Sequence, residues 1–248
     1  MSIRTAILAD NPLLYWPLDD ATGPAASDAS GHGNPGVYSG QFFTQQRGPE
    51  SGTFATLFKG IGEVVTLNPS PQRVEPWTIE VWVAGINLYQ SGGALAYNGL
   101  GSANGSGMVW HPGNINDNQL GLSRGGIAIF DTGFSVQDEN WHQYVATRSA
   151  VPQIQVFVDG AVVAPLQAGG AINAIPAGGL FHAGPGNIAE WEYVAHVALW
   201  GSVLTAAQIA AHFTGRGTAQ EPTGTPQQLG TDIATILSYV SRLYQNAP

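Results

Sequence analysis

The chain contains no cysteine, which excludes disulfides, thiolate metal sites and cysteine nucleophiles together. A chain of 248 residues is long enough to bury a full core without staples, so this absence assigns no compartment. Charge is scarce as well. Asp, Glu, Lys and Arg make up 10% of the residues, where soluble domains average about a quarter. Lys59 is the only lysine, beside seven arginines, and the formal net charge is −9. Such a surface repels phosphate backbones, and no basic stripe with interleaved aromatics occurs, so no nucleic-acid partner is expected. Nothing approaches the roughly 20 apolar residues that cross a bilayer, so no membrane insertion is expected. The opening MSIRTAILADNP holds one arginine, a short apolar run and Asp10. It is too short and polar for a signal peptide, which predicts a soluble product made in the cytoplasm without an export leader.

Catalytic signatures are missing too. Gly101-Ser102-Ala103-Asn104-Gly105 is a glycine-rich loop and not a nucleophile elbow, and no phosphate-cradling glycine loop with Lys-Ser or Lys-Thr is present. His32, His111, His142, His182, His196 and His212 show no zinc-ligand spacing within a helix. Sandwich packing or surface hydrogen bonding is the expected role of each.

What the sequence does hold is 44% hydrophobic residues with 33 glycines and 16 prolines, the composition of short strands joined by tight turns. Trp77, Ile79, Val81 and Val83 alternate with Thr78, Glu80 and Trp82, and Trp141 to Arg148 alternate likewise. Ile154, Val156 and Val158 lead into Asp159-Gly160, a strong hairpin signal, followed by Val162 and Val163. Further strands are predicted near 13–18, 55–58, 64–67, 108–111, 119–123 and 127–130. The segments 97–107 and 167–187, rich in Gly, Ala and Asn, read as turns or adaptable loops.

The most telling stretch is 187–213, NIAEWEYVAHVALWGSVLTAAQIAAHF. A strand through Trp191, Tyr193, Ala195, Val197 and Leu199 breaks at Gly201-Ser202. Thr205 and Gln208 then stand at the spacing of a reciprocal helix cap. Ile209 and Phe213 give that helix one apolar side, and Gly215 occupies the place of a left-handed terminating residue. Beyond it, 216–224 is small, polar and interrupted by Pro222, which reads as a linker. Thr225-Pro226-Gln227-Gln228 opens a second helix. Its Leu229, Ile233, Ile236, Val240 and Leu243 form a short heptad seam, widened by Leu237. A lone helix of this length is marginal in water, so it is expected to pair with copies of itself, dock on a partner, or pack on its own domain. Isoleucine at both kinds of core position favours three strands over two.

Four segments in order resemble the laminin-G-like, concanavalin A-type jelly roll. They are LLYWPLDDATGPAASDASGHGNPGVYSG from Leu13 to Gly40, WTIEVWV from Trp77 to Val83, NWHQYVATRSAVPQIQVFVDGAVV from Asn140 to Val163, and the closing strand and helix. In the first, the turn glycines Gly31, Gly33 and Gly36 permit positive φ. The resemblance implies an all-β fold: a two-sheet antiparallel jelly-roll sandwich over 1–215, with a short closing helix, a linker over 216–224 and a C-terminal amphipathic helix over 225–248. The superfamily includes lectins, adhesion domains and a minority of glycanases, so fold alone decides little about function. Compact members without leader or cysteines resemble domains that tailed bacteriophages carry in tail fibres, minor tail proteins and capsid-surface proteins.

Retaining glucanases of this fold carry two glutamates on one strand face. Glu190 and Glu192 flank Trp191 and lie on one face of a strand, but no aspartate stands between them and no third acid follows, so strand glutamates with at least one solvated are expected. Glu80 stands isolated and reads as structural. Relatives often hold calcium, and Asp28 with Ser30 and carbonyls near Gly33 offers the best candidate; a turn-forming role explains both side chains equally well. For glycan, the loop with Trp110, His111, Asn114, Asn116 and Asp117 combines an aromatic with amide and carboxylate groups; a polar hairpin with a core tryptophan is the plainer reading. The expected function is a non-enzymatic module on a phage particle that requires no cofactor. Its partners would be itself, as a trimer in the heptad register, neighbouring virion proteins, or cell-surface glycan. A glycan-active hydrolase and a cellular carbohydrate-binding module are the alternatives.

Overall fold

A computed structural model describes residues 1–59, 64–72, 75–84, 93–98, 106–110, 120–124, 128–131, 140–149, 153–168, 181–184 and 191–217. The predicted linker and C-terminal helix, with Leu229, Ile233, Ile236, Leu237, Val240 and Leu243, lie outside the described residues.

Two antiparallel sheets account for the strands. The first runs β14 (Ala161–Ala168), β13 (Gln153–Val158), β12 (His142–Arg148), β7 (Trp77–Ala84), β16 (Trp191–Trp200), β5 (Phe54–Lys59) and β4 (Phe42–Arg47), with β1 (Leu14–Trp16) also paired to β16. The second runs β11 (Ala128–Asp131), β10 (Leu120–Arg124), β9 (Ser106–Trp110), β8 (Gly93–Asn98), β15 (Phe181–Ala183), β6 (Val64–Leu67), β3 (Gly36–Ser39) and β2 (Ala25–Ala26). Helix α1 (Ile3–Ala9) precedes them and α2 (Ala206–Thr214) follows β16. The two-sheet sandwich is therefore the fold of this chain, with the alternation of residues deciding which side chains face inward.

Trp16, Ile79, Val81, Val83, Tyr144, Phe181, Val194 and Leu199 share the core between the sheets. The alternating residues of β7 do not face water, however. Thr78, Glu80 and Trp82 are buried as well, because a second apolar cluster covers the outer face of the first sheet. There Ile3 and Ile7 of α1 and Ile209 of α2 pack over Trp82, Trp141, Val145, Phe157, Tyr193 and Trp200. The five tryptophans whose side chains are described, Trp16, Trp77, Trp82, Trp141 and Trp200, are all buried.

Local stereochemistry follows the sequence at several points. Asp159 and Gly160 both have positive φ, 51° and 76°, the backbone of a two-residue turn that matches strand twist. Thr205 caps α2 through the Gln208 N–H while the Gln208 side chain accepts from the Thr205 N–H. Gly31 and Gly33 are left-handed, as expected.

Gly36 and Gly215 correct the expectation. Gly36 is not left-handed; it is required because a Cβ there would lie 2.7 Å from Val65 Cγ2 and 2.9 Å from Trp16 Cζ2. Gly215 is right-handed (φ −60°, ψ −21°), and its Cβ would stand 3.1 Å from the Ser2 carbonyl. The left-handed residue is Gly217 (φ 59°), two positions later, because the chain must first pass under the N-terminus.

The segments read as turns also differ. Tyr97 and Asn98 end β8, Ser106 and Gly107 begin β9, and Phe181–Ala183 form β15. Small residues such as Ala96 and Ala183, both fully buried, carry the inward positions of these strands, so low hydrophobic bulk conceals them. Helix α1, with Ser2 as its cap, and strands β2, β3 and β4 carry no comparable periodicity.

Candidate functional site

The opening turn is built around Asp28. Its Oδ1 accepts from the backbone N–H groups of Tyr15 (2.9 Å) and Ser30 (3.0 Å), and its Oδ2 from the Ser30 hydroxyl (2.8 Å) and the Asn34 N–H (2.8 Å). Partial burial would raise the carboxyl pKa, but these donors outweigh it and hold it below the ordinary value. Four donors occupy the acceptor directions of one carboxylate. Calcium needs oxygen ligands in number, and this arrangement presents N–H and O–H groups instead, so Asp28 and Ser30 do not fit a cation site. Among the described residues, no group of three or more His, Asp or Glu side chains is arranged to hold a metal.

Glu80, isolated in the sequence, is not isolated in space. Its Oε1 accepts from Trp82 Nε1 (3.0 Å) and Gln143 Nε2 (2.9 Å), and its Oε2 lies 2.7 Å from His212 Nδ1. The other ring nitrogen of His212 is 2.9 Å from Asp10 Oδ2, and Gln208 donates to Asp10 Oδ1 at 2.7 Å. An imidazole with a carboxylate on each nitrogen can donate to both only in its charged form, which this arrangement favours. Burial acts to lower the His212 pKa, but Glu80 and Asp10 overcome it and raise the value above the ordinary one. Trp200 stacks on the same ring at 5.6 Å. His196 behaves oppositely. It sits at a bulge in β16 with φ 47°, its Nδ1 is 2.7 Å from the Tyr15 hydroxyl, and burial drives its pKa down to about 3. His142 pairs with Asp159 at 2.7 Å, tying β12 to the hairpin turn.

Of the suspected carboxylate pair, Glu190 lies outside the described residues. Glu192 stands opposite Phe58, on the strand face of Val194, within the core between the sheets, and is 4% exposed.

The outer face of the second sheet is different from that of the first. One ladder row crosses it from Val37 through Thr66, His182 and Tyr97 to Gly107 and Ser123. The flanking positions Val65, Ala183 and Ala96 are buried in the core, so Val37, Thr66 and His182 belong to the outward face. Val37 is 55% exposed, Ser39 is exposed, and Thr66 and His182 are half-buried. Burial pushes the His182 pKa down to about 4, leaving the ring neutral. No lysine, arginine or carboxylate stands in this row.

This row was not legible in the sequence, because it is assembled from strands distant along the chain. The suspected ligand loop borders the same sheet. Trp110 ends β9 in register with Leu120. His111, Asn114, Asn116 and Asp117 lie outside the described residues.

Comparison with known proteins bears on this geometry. A family model described as the concanavalin A-like lectin/glucanases superfamily matches residues 59–210. No curated protein matches the chain. Among solved structures, domain 4 of AbnA, an extracellular arabinanase from Geobacillus stearothermophilus in complex with arabinotriose, superposes with a TM-score of 0.64 at 13% identity, over 82% of this chain and 98% of that one. The Trypanosoma rangeli sialidase gives 0.61 at 16% identity, over 82% of this chain and 32% of the enzyme. The receptor-binding domain of a botulinum neurotoxin C/D mosaic serotype gives 0.60 at 15% identity, over 83% and 51%. These likenesses are likenesses of fold. Among the described residues, no helix is long and apolar enough to cross a membrane.

Proposed function

The chain belongs to the concanavalin A-like lectin/glucanases superfamily, and from that premise we propose that it is a non-catalytic module that binds neutral glycan on the outer face of its second sheet. The asymmetry of the two sheets carries this reading. Helices and a second apolar cluster cover one outer face, whereas among the described residues no helix packs over the row from Val37 to His182, which holds an exposed valine and a half-buried threonine and histidine without a cation. A uronate or sialate brought there meets no positive partner and a chain of net charge −9, which disfavours acidic sugars. A module of matching extent, the arabinanase domain, is seen with arabinotriose, which supports a sugar ligand in kind and not in identity.

The hydrolase alternative needs a carboxylate pair open to a polymer. The burial of Glu192 on the core side works against it. The setting on a phage particle belongs to the same proposal: a sandwich, a polar linker over 216–224 and a heptad seam over 225–248 suit a module anchored by its tail. Molar mass in solution, measured with and without residues 218–248, tests the anchor, with self-association expected only in the longer chain.

The binding experiment uses a panel of neutral and acidic oligosaccharides with the wild type, Val37→Arg and Thr66→Arg. A neutral glycan should bind, and each arginine should weaken it about tenfold or more by blocking the row, an effect of about 1.4 kcal/mol. Absence of any neutral ligand overturns the reading. So does release of reducing sugar that vanishes in Glu190→Gln.

A further inference from the structure

The Asp10–His212–Glu80 chain joins three elements distant in sequence and has no part in the proposed ligand face. Asp10 caps the C-terminus of α1, Glu80 lies in the middle of β7, and His212 lies in the last turn of α2. The ring is 2.7 Å from one carboxylate and 2.9 Å from the other, and both it and Glu80 are completely buried. We propose that α1 and α2 form a proton-locked cap, which opens from the first sheet when His212 becomes neutral while the sandwich beneath stays folded.

The physical cause is a change of sign at one contact. A neutral imidazole keeps one N–H and one bare lone pair. The lone pair must then face a carboxylate oxygen at hydrogen-bond distance, either that of fully buried Glu80 or that of Asp10, whose side chain is 18% exposed, where water screens the repulsion only in part. The two helices share this contact, since Gln208 of α2 also holds Asp10 and Gly215 lies against Ser2. The other contacts that hold them to the sheet are Ile3, Ile7 and Ile209 on the second cluster, the Phe213 ring stacked on Trp82, the Thr78 hydroxyl contacts to Ser202 and Leu204, Gln143 donating to the Ile209 carbonyl and Arg216 donating to the Trp141 carbonyl. The core between the sheets does not involve them.

Other charged groups around the cap do not supply the same switch. Arg4 of α1 pairs with Asp19 at the surface. Glu50 accepts from the Ile3 N–H, a contact that either protonation state of a carboxyl can make, and burial raises its pKa above the ordinary value. Tyr15 of β1 is lifted well above its ordinary value by burial, and His196 of β16 is neutral. The His142–Asp159 pair serves the hairpin beside α2, and the Met1 amino group is carried on an exposed residue.

Amide hydrogen exchange across pH 6 to 9, corrected for the intrinsic exchange rate, tests the proposal. The opening constant of 3–9 and 206–214 should rise by up to ~10-fold per pH unit above ~6.5, the slope of one released proton. Amides of β7 and β12 should keep a constant protection. In His212→Gln the two helices should open equally at every pH, with the amine and all other groups retained. A flat wild-type profile, or a slope that survives in His212→Gln, overturns the proposal. Should that variant fail to fold, titration of the His212 ring protons in the wild type decides: a midpoint at or below ~6.5 overturns it and one above supports it.

Discussion

Replacing Glu80 by glutamine changes the buried cluster by one atom and tests how it holds the fold. In the wild type one oxygen serves Trp82 and Gln143 and the other serves His212. A glutamine amide has one oxygen and one NH2 group, so either orientation sets donor against donor. If the oxygen faces His212, the NH2 meets Trp82 Nε1 and Gln143 Nε2; if it is flipped, the NH2 meets an imidazolium. The variant also leaves the buried charge of His212 with Asp10 as its only carboxylate. An unsatisfied buried donor costs about 1–3 kcal/mol, and breaking a buried ion pair costs about 3–5 kcal/mol. These describe overlapping losses, so about 3–4 kcal/mol is expected, from a domain whose total stability is of the order of 5–15 kcal/mol. Urea unfolding at pH 6, read by tryptophan fluorescence, measures it as a lower midpoint at unchanged slope.

The pH dependence of this difference has a definite sign. The folded His212 pKa is raised above the unfolded one. Its contribution is thus complete below ~6.5 and is lost as pH rises through the folded value. The gap between wild type and Glu80→Gln should be widest near pH 6 and narrow towards pH 9. A gap under about 1 kcal/mol at pH 6, which is no more than a neutral hydrogen bond contributes, or a gap that widens with pH, refutes the reasoning.

Gly36→Ala should destabilise by about 1–3 kcal/mol through overpacking, because its Cβ would stand 2.7 Å from Val65 and 2.9 Å from Trp16; an unchanged thermal midpoint would contradict the packing. Asp28→Asn should lose about 1–2 kcal/mol, since an amide cannot accept on both sides from Tyr15, Ser30 and Asn34. The lowered Asp28 pKa means that its contribution is present above ~3.9 and fades as pH falls through the folded value. The variant should therefore converge on the wild type in acid. Added calcium should leave the wild-type midpoint unmoved; a shift that grows with calcium concentration would reveal a site.

Much of the fold was legible because it depends on near neighbours. The strand at 77–83 appears at 77–84 and the hairpin at Asp159-Gly160 is present as read. The cap of α2 joins the two residues expected. Less was legible where small residues carry the packing, as in β15, or where a glycine answers to a distant neighbour, as Gly36 answers to Val65. The candidate ligand face was legible least. Its row takes one residue from each strand, and no spacing along the chain marks Val37, Thr66 and His182 as companions.

The amino-acid order alone determined where strands turn and helices start, since alternation, left-handed turn residues and side-chain caps act within a few positions. It also determined a nearly lysine-free, negatively charged surface. Only tertiary structure decided which strand faces meet water. That is why Thr78, Glu80 and Trp82, which alternate like a solvated face, lie under two helices. It likewise decided the ionisation of His212, whose two acidic partners are 132 and 202 positions away. Coulombic attraction acts through space, and folding alone brings those carboxylates within its reach.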